Sequence, residues 1–563
     1  MPGDRSTHDS LHVSLHDAVA AHVRAGDAIH VVCGHSRWAA ATNEVVRQWW
    51  GRDPGFELSM LSLSSLGTLW FRGGLVRKVV TGYSGDVFPN FTPNRIFSDA
   101  YLSGAVEVEH WSFLAFAQRL EAAARGLPAM ATTSIAGSSM EDNPGFSVAE
   151  TAFGPVGLVE AYAPDVALVH AAVADRDGNL AFHPPMLEGV WGALAARRGV
   201  IATVERIIED IRPWSHLVRV PAHHVLSVTE CPLGAHPGGL YGRFTPAEPY
   251  GEDVEFWAEV RDASRRDDFD EWIRRWVLDV PDHAAYLAQL GEERRARLVA
   301  KADPDSWRRD EDAHPPDLDA PVNDWERAAA LGARVLAERI AATGADAVLA
   351  GAGVANLATW AGVAAARAAG SSCVLTAELG LWGYEPTPAD PFVFNHRAFP
   401  SSTMLADSSE VLGMVVPGPA TTTLACLGAA IVDAEGNIDS TVVPGRTFLV
   451  GSGGGNDVAS SADEVIVVTT LTPRRTVERV PYVTSPGGRV RHLVCDVGVF
   501  TKGDGGRFEL AAIVDGVDVD EVAALVGWDD LVVRDDLAVL PAPTAEEVAV
   551  LRRWDPQGFF LRA

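Results

Sequence analysis

Apolar residues come in two rhythms along this chain, and the rhythms alternate. Residues 14–26 carry them at helical spacing and stop at Gly26. Residues 28–33 form a short apolar run that Gly34 ends, and 39–50 return to helical spacing. The pattern predicts helix, strand, glycine loop, helix. Strand-length apolar runs recur at 59–63, 76–81, 105–109 and 166–174, with a helix over 113–125 and an extended piece at 128–133. Residues 190–198 and part of 203–211 fit helix or strand equally. Strands alternating with helices of this length predict a mostly parallel sheet covered by helices.

From Glu252 the pattern becomes helical and highly charged, through 257–264, 269–277 and 286–301. Residues 303–323 are acidic, lack apolar periodicity and carry Pro315, Pro316 and Pro321, as a linker does. Then the opening pattern returns. A helix over 325–343 stops at Gly344, a strand at 347–350 follows, and Gly351-Ala-Gly353 leads to a helix over 357–368. A closer echo joins Ala171-Ala-Val-Ala-Asp-Arg-Asp-Gly-Asn-Leu180 to Ala429-Ala-Ile-Val-Asp-Ala-Glu-Gly-Asn-Ile438. Two matches in one order, on either side of a linker, predict a duplicated domain. The expected fold class is α/β, with two similar open α/β domains and the site in the cleft between them. Their boundaries are 1–302, with a helical tail, then the linker 303–323, then 324–563. In the second half, 410–415, 422–432 and 448–451 read as strands or buried segments, 458–462 as a small-residue turn and 464–469 as a strand. Residues 494–499 and 510–514 close the sheet, and 519–525 and 544–554 read as terminal helices.

Composition narrows the function. The net charge of −29 disfavours nucleic acid or an anionic membrane as partner. It leaves room for a small polyanion held by a local nest of N–H groups. The five cysteines, Cys33, Cys231, Cys373, Cys426 and Cys495, show no CxxC and read as buried inert thiols. No apolar stretch is long enough to span a membrane, and the N-terminal stretch lacks the apolar core of a signal peptide. A cytoplasmic protein is expected.

The candidate chemistry centres on Glu378. It ends the apolar run from Val374 and is followed by Gly380, Gly383, Pro386 and Pro388. A carboxylate delivered by a strand to a loop mouth can serve as nucleophile or base, or can satisfy turn backbone. Gly451-Ser-Gly-Gly-Gly-Asn456 is neither a dinucleotide fingerprint nor a P-loop. Its residues Gly451, Gly453, Gly454, Gly455 and Asn456 form either a flexible turn or a backbone cradle for an anion. Gly351 and Gly353 precede a helix, where N–H groups can hold an oxyanion. Glu107 and Glu109 point to one side of a strand, as solvated charges or with one as an acid/base. His12 and His16 have HxxxH spacing without the Glu of a zincin motif, and His35, His110, His236 and His396 stand apart, so no metal is assigned. Trp38, Trp111 and Trp382 fall in or near candidate loops, for core packing or an acyl pocket.

These residues are familiar together. The second half resembles the β subunit of family I coenzyme A transferases, most closely the glutaconate type. The matching stretches are Ala377-Glu378-Leu-Gly380, 429–441, Gly451–Asn456, Tyr482-Val-Thr-Ser-Pro-Gly487, Val499-Phe-Thr-Lys502 and Asp555-Pro-Gln-Gly-Phe-Phe560. The first half is similar to the α subunit through Gly82-Tyr-Ser-Gly85, Val108-Glu109, 174–179 and Pro232-Leu-Gly-Ala-His-Pro237. The resemblance implies both subunits fused in one chain and ping-pong transfer of CoA from an acyl-CoA to a carboxylic acid. Glu378 would be the nucleophile that carries CoA as a thioester, with the N–H groups of Val354 and Gly454 as the oxyanion hole. Coenzyme A is then a substrate, no cofactor is permanently bound, and a homodimer is expected. Leu379 departs from the Ser or Asn of the family, and with Trp382 it points to a bulkier or more apolar acyl group. It also leaves two alternatives in view. One is a CoA-thioester or ring-opening C–C hydrolase using Glu109 or Glu378; the other is a non-catalytic CoA-ligand binder.

Overall fold

The structure is a computed structural model that describes the chain except residues 1–10, 33–37, 39, 89, 243, 393–395 and 563. Expectations about Cys33, Gly34, His35 and the first turn at residue 39 therefore lie outside the described residues.

The first half is built on seven parallel strands. Their spatial order is Val225–Glu230, Gly199–Ile208, Val166–Asp175, Ala28–Val31, Phe56–Ser62, Val76–Tyr83 and Glu107–His110. Two short strands, Leu180–Ala181 and Val218–Val220, extend it antiparallel. The sequence leaves 203–211 open between helix and strand; it is mostly strand, and the first seven residues of Gly199–Ile208 are buried on both faces, as parallel strands covered by helices require.

The second half repeats the arrangement. Val490–Val494, Glu464–Val468, Thr423–Gly428, Ala347–Ala350 and Val374–Ala377 are parallel and adjacent in that order. The duplication is sharpest at the two Asp-x-acid-Gly-Asn turns. In one, the Asp175 carboxylate accepts from the N–H groups of Asp177 and Asn179 at 3.1 and 2.8 Å and from Asn179 Nδ2 at 2.7 Å. In the other, Asp433 accepts from Glu435 and Asn437 N–H at 3.0 and 2.9 Å and from Asn437 Nδ2 at 3.0 Å. Even the asparagine amide oxygen has a matching use, taking Ala222 N–H in one half and Gly487 N–H in the other. The same three side-chain types fold the same Asx turn twice.

Several segments differ from expectation. Residues 410–415 are helical, in Ser408–Glu410 and Val411–Val415, because Asp407 and Glu410 form a capping box ahead of them. The turn expected at 458–462 is the end of the helix Gly455–Ser461. The acidic stretch 303–323 contains the helix Trp307–Ala313, pinned where Asp310 meets the buried Arg397 guanidinium. Residues 494–499 do not form one strand; Val490–Val494 turns back into Gly498–Lys502. The extended piece read at 128–133 is the strand Ala129–Thr132, but its antiparallel partners Phe146–Thr151 and Gly154–Glu160 and the edge strand Val533–Leu540 carry no clear signal in the sequence.

The halves share one core. A single apolar cluster includes Phe113, Leu114 and Ile135 from the first half and Leu379, Val411 and Val458 from the second.

Candidate functional site

Glu378 follows the buried strand Val374–Ala377 and sits at the apex of a tight hairpin. Leu381–Trp382 pairs back antiparallel, Ala377 opposite Leu381 and Thr376 opposite Trp382. Thr376 Oγ1 donates to Leu381 O at 2.6 Å and fixes the return. Gly380 makes the turn possible: its φ is +112°, and a Cβ there would lie 2.4 Å from Ala406 O. Leu379 points away into the shared core and is 2% exposed. The residue that departs from the polar one the resemblance implies is thus buried in the cluster both halves share.

The neighbouring strand Ala347–Ala350 runs parallel to Val374–Ala377, so Gly351–Gly353 leaves the sheet at the same edge as Glu378. Gly351 allows close approach of backbones, since a Cβ would lie 2.5 Å from Cys426 O. Gly353 has φ +73° and faces open space, and it caps the helix Val354–Ala368. The first N–H groups of that helix, Val354 foremost, have no acceptor within the helix and carry its positive end.

The glycine-rich turn is clamped between the halves. Gly451 and Gly453 have φ of +103° and +54°. Ser440 holds the turn from the second half, its carbonyl receiving Gly451 N–H and its hydroxyl donating to Gly451 O. From the first half, Ser84 N–H donates to Val450 O at 2.7 Å and Phe113 N–H to Gly453 O at 3.0 Å, while Gly82 O receives Gly453 N–H at 2.9 Å. This places Gly454 against Glu378: a Cβ on Gly454 would lie 2.0 Å from Glu378 Oε2. Only a bare backbone fits, and its N–H hydrogen-bonds the carboxylate.

Glu378 is half-buried as a residue, but its carboxyl is the enclosed end. Burial raises its pKa to about 8, with help from the nearby Asp457 and against the Gly454 N–H. Asp457 is itself pushed up to about 6 by burial, though it accepts Leu114 N–H at 3.0 Å. The buried Tyr83 ring lies close enough to feel both Asp86 and Glu378.

Not every expected residue joins this cluster. Glu109 lies on the strand Glu107–His110, where the Arg119 guanidinium, Lys78 Nζ at 2.7 Å and Trp111 Nε1 at 2.8 Å hold its carboxylate. Burial opposes ionisation there, but these partners outweigh it and hold the pKa below the usual value. A carboxylate so engaged is a poor acid/base. Lys78 also reaches Glu107 at 3.3 Å, so both glutamates do share a face. The opposite face presents His110 to the glycine turn, and alternation on a strand excludes Glu109 from it. Asn456 is likewise occupied: its Oδ1 takes Ile135 N–H at 2.8 Å and its Nδ2 donates to Thr484 O at 2.9 Å. It ties the halves together. Gly455 opens the following helix. His110 is the site residue that sequence reasoning passes over, since its only signal is a place two residues after Val108 at a strand end. His16 pairs with Glu44, and among the described residues no group of His, Cys, Asp or Glu could hold a metal. Trp38 and Trp111 are core residues, 1% and 0% exposed. No described helix is long and apolar enough to cross a membrane.

Comparison with known proteins bears on the family and the fold. Residues 13–230 match the family model for coenzyme A transferase. One subunit of the 3-oxoadipate CoA-transferase from Pseudomonas knackmussii is 27% identical over 50% of this chain and 98% of its own length. One subunit of the glutaconate CoA-transferase from Acidaminococcus fermentans is 27% identical over 51% of the chain and 93% of its own. An acyl-CoA transferase from E. coli O157:H7, solved as a thioester complex with CoA, covers 96% of both chains with TM-score 0.65 and 17% identity, a likeness of fold. Over residues 13–230 the chain is thus similar to the coenzyme A transferase family, and both of these relatives are CoA-transferase subunits.

Proposed function

We propose that this protein transfers CoA from an acyl-CoA to a carboxylic acid through a glutamyl-CoA thioester on Glu378. The observation that carries this is the enclosure of the Glu378 carboxyl against the bare backbone of Gly454 at the junction of the two halves. The Glu378 carboxylate attacks the thioester carbonyl, and CoA leaves as thiolate. The acyl–glutamyl anhydride so formed is attacked by that thiolate at the glutamyl carbonyl, releasing the first acid as its carboxylate. The acceptor carboxylate then repeats the two steps in reverse, and Glu378 returns to its starting form with the new acyl-CoA released. Each attack places negative charge on a carbonyl oxygen, and the N–H groups of Gly454 and Val354 are the fixed dipoles assigned to it. Carboxylates are weak nucleophiles, so positioning and exclusion of water carry much of the acceleration.

In this proposal residues 1–302 act as the α-subunit-like half and 324–563 as the β-subunit-like half, fused through 303–323 and paired as a homodimer. Incubation with an acyl-CoA, followed by borohydride or hydroxylamine and peptide mapping, tests it. Modification is expected on Glu378. An unmodified Glu378, with transfer surviving in Glu378→Gln, overturns it.

A further inference from the structure

His110 is buried at the end of its strand, and its ring lies against the glycine turn. A Cβ on Gly451 would be 2.1 Å from His110 Nε2, so the turn is moulded on the imidazole. Phe448 packs on the ring at 5.9 Å and 62°. The polar contacts are unusual. Nε2 lies 3.1 Å from Ser452 N and 2.9 Å from Gly82 O, while Nδ1 is buried without a partner. One nitrogen cannot accept from an N–H and donate to a carbonyl in the same tautomer.

Each tautomer leaves one buried N–H unpaired, the ring's own Nδ1–H in one and Ser452 N–H in the other, so the choice rests on which contact the turn needs. Gly82 O already receives Gly453 N–H at 2.9 Å and does not need the imidazole. Ser452 N–H is directed at Nε2, and a protonated Nε2 would leave that buried donor facing another donor, at the cost of an unmade hydrogen bond. Burial keeps the ring neutral, its pKa lowered to about 4, so the imidazolium does not intervene.

We propose that His110 is a positioning residue for the glycine turn, holding it as the Nδ1–H tautomer whose Nε2 accepts Ser452 N–H. Through Ser452 it sets where Gly454, two residues on, presents its N–H to Glu378. The inference rests on the reaction proposed above for its rate consequences, but not for the tautomer itself.

Two measurements test it. The first compares His110→Phe, which keeps a packed ring, with His110→Gln, whose amide oxygen can accept from Ser452 N–H. Loading of Glu378 by acyl-CoA should slow about 100-fold in the Phe variant, the scale of a misplaced catalytic group. CoA affinity and melting temperature should change little, and Gln should restore most of the rate. Loading by His110→Phe at the wild-type rate overturns the proposal. The second is 15N NMR of imidazole-labelled wild type, with the His110 signals found by their loss in His110→Gln. Nδ1 protonated and Nε2 unprotonated is expected; a proton on Nε2 overturns it whatever the activity. If wild type never loads Glu378, the transferase mechanism fails and the NMR result alone decides the role of His110.

Discussion

Replacing Glu378 by Gln should stabilise the protein at alkaline pH and leave it nearly unchanged in acid. The Glu378 carboxyl rises from an ordinary 4.5 in the unfolded chain to about 8 in the fold. A raised carboxyl pKa means the native state holds a proton that the unfolded state has lost. Its contribution to stability is therefore full below pH 4.5, falls between 4.5 and 8, and is lowest above 8. At about 1.36 kcal/mol per pH unit the whole difference is about 5 kcal/mol as an upper limit, and about 3 kcal/mol after water relaxation at a half-buried residue. Gln has nearly the same shape, can accept the Gly454 N–H through its amide oxygen and has no charge to bury. For 563 residues unfolding together, the unfolding entropy is about 1.2 kcal/mol per degree, so about 3–5 kcal/mol moves the melting temperature by about 3–4 °C. Scanning calorimetry of both proteins at about pH 4 and about pH 9, on either side of the shifted range, reads this directly. The melting temperature of Glu378→Gln should exceed that of wild type by this amount at the alkaline pH and by much less at the acid one. An equal gap at both pH values would mean that Glu378 is not held protonated by burial. A lower melting temperature for Gln at the alkaline pH would reverse the sign of the reasoning.

Other expectations follow from the same geometry. The rate of Glu378 loading should climb with pH through about 8 in the free enzyme, because only the ionised carboxylate attacks. Asp457→Asn removes a neighbouring negative charge and should move that rising limb to lower pH in a stopped-flow pH series. Gly454→Ala drives a methyl into Glu378 Oε2 and should cut transfer by at least about 100-fold in steady-state assays while the protein still folds. Glu109→Gln breaks a buried ion pair with Arg119 and should destabilise by about 3 kcal/mol in urea melts. Enzyme that remains folded should keep its kcat, whereas a catalytic Glu109 would lose it.

What the sequence discloses depends on how local each signal is. Strand Val374–Ala377, the glycines around it and the paired Asp-x-acid-Gly-Asn turns are each written within a short stretch, so periodicity and turn chemistry suffice. Glu410 misleads because its helix depends on a capping box with Asp407, a feature outside the apolar rhythm. Glu109 looks chemically free because nothing in Val106–Trp111 shows that Lys78 and Arg119 close on it from a neighbouring strand and helix.

The junction between the halves explains why the site is only partly legible. Glu378 is raised by burial, and that enclosure comes from Gly454, itself clamped by Gly82, Ser84, Phe113 and His110 on the other half. No one of these residues is reactive alone. Burial and the nearby Asp457 raise the carboxyl to about 8 against the Gly454 N–H, and the turn that helps enclose it is held from both halves. Separating the halves, by a break within 303–323 and dilution, should therefore return Glu378 toward an ordinary carboxyl. Titration of an isotope-labelled Glu378 carboxyl by 13C NMR in the intact and separated forms would follow it. A pKa unchanged on separation would place the cause of the shift within the second half alone, and remove the first half from the electrostatics of the site.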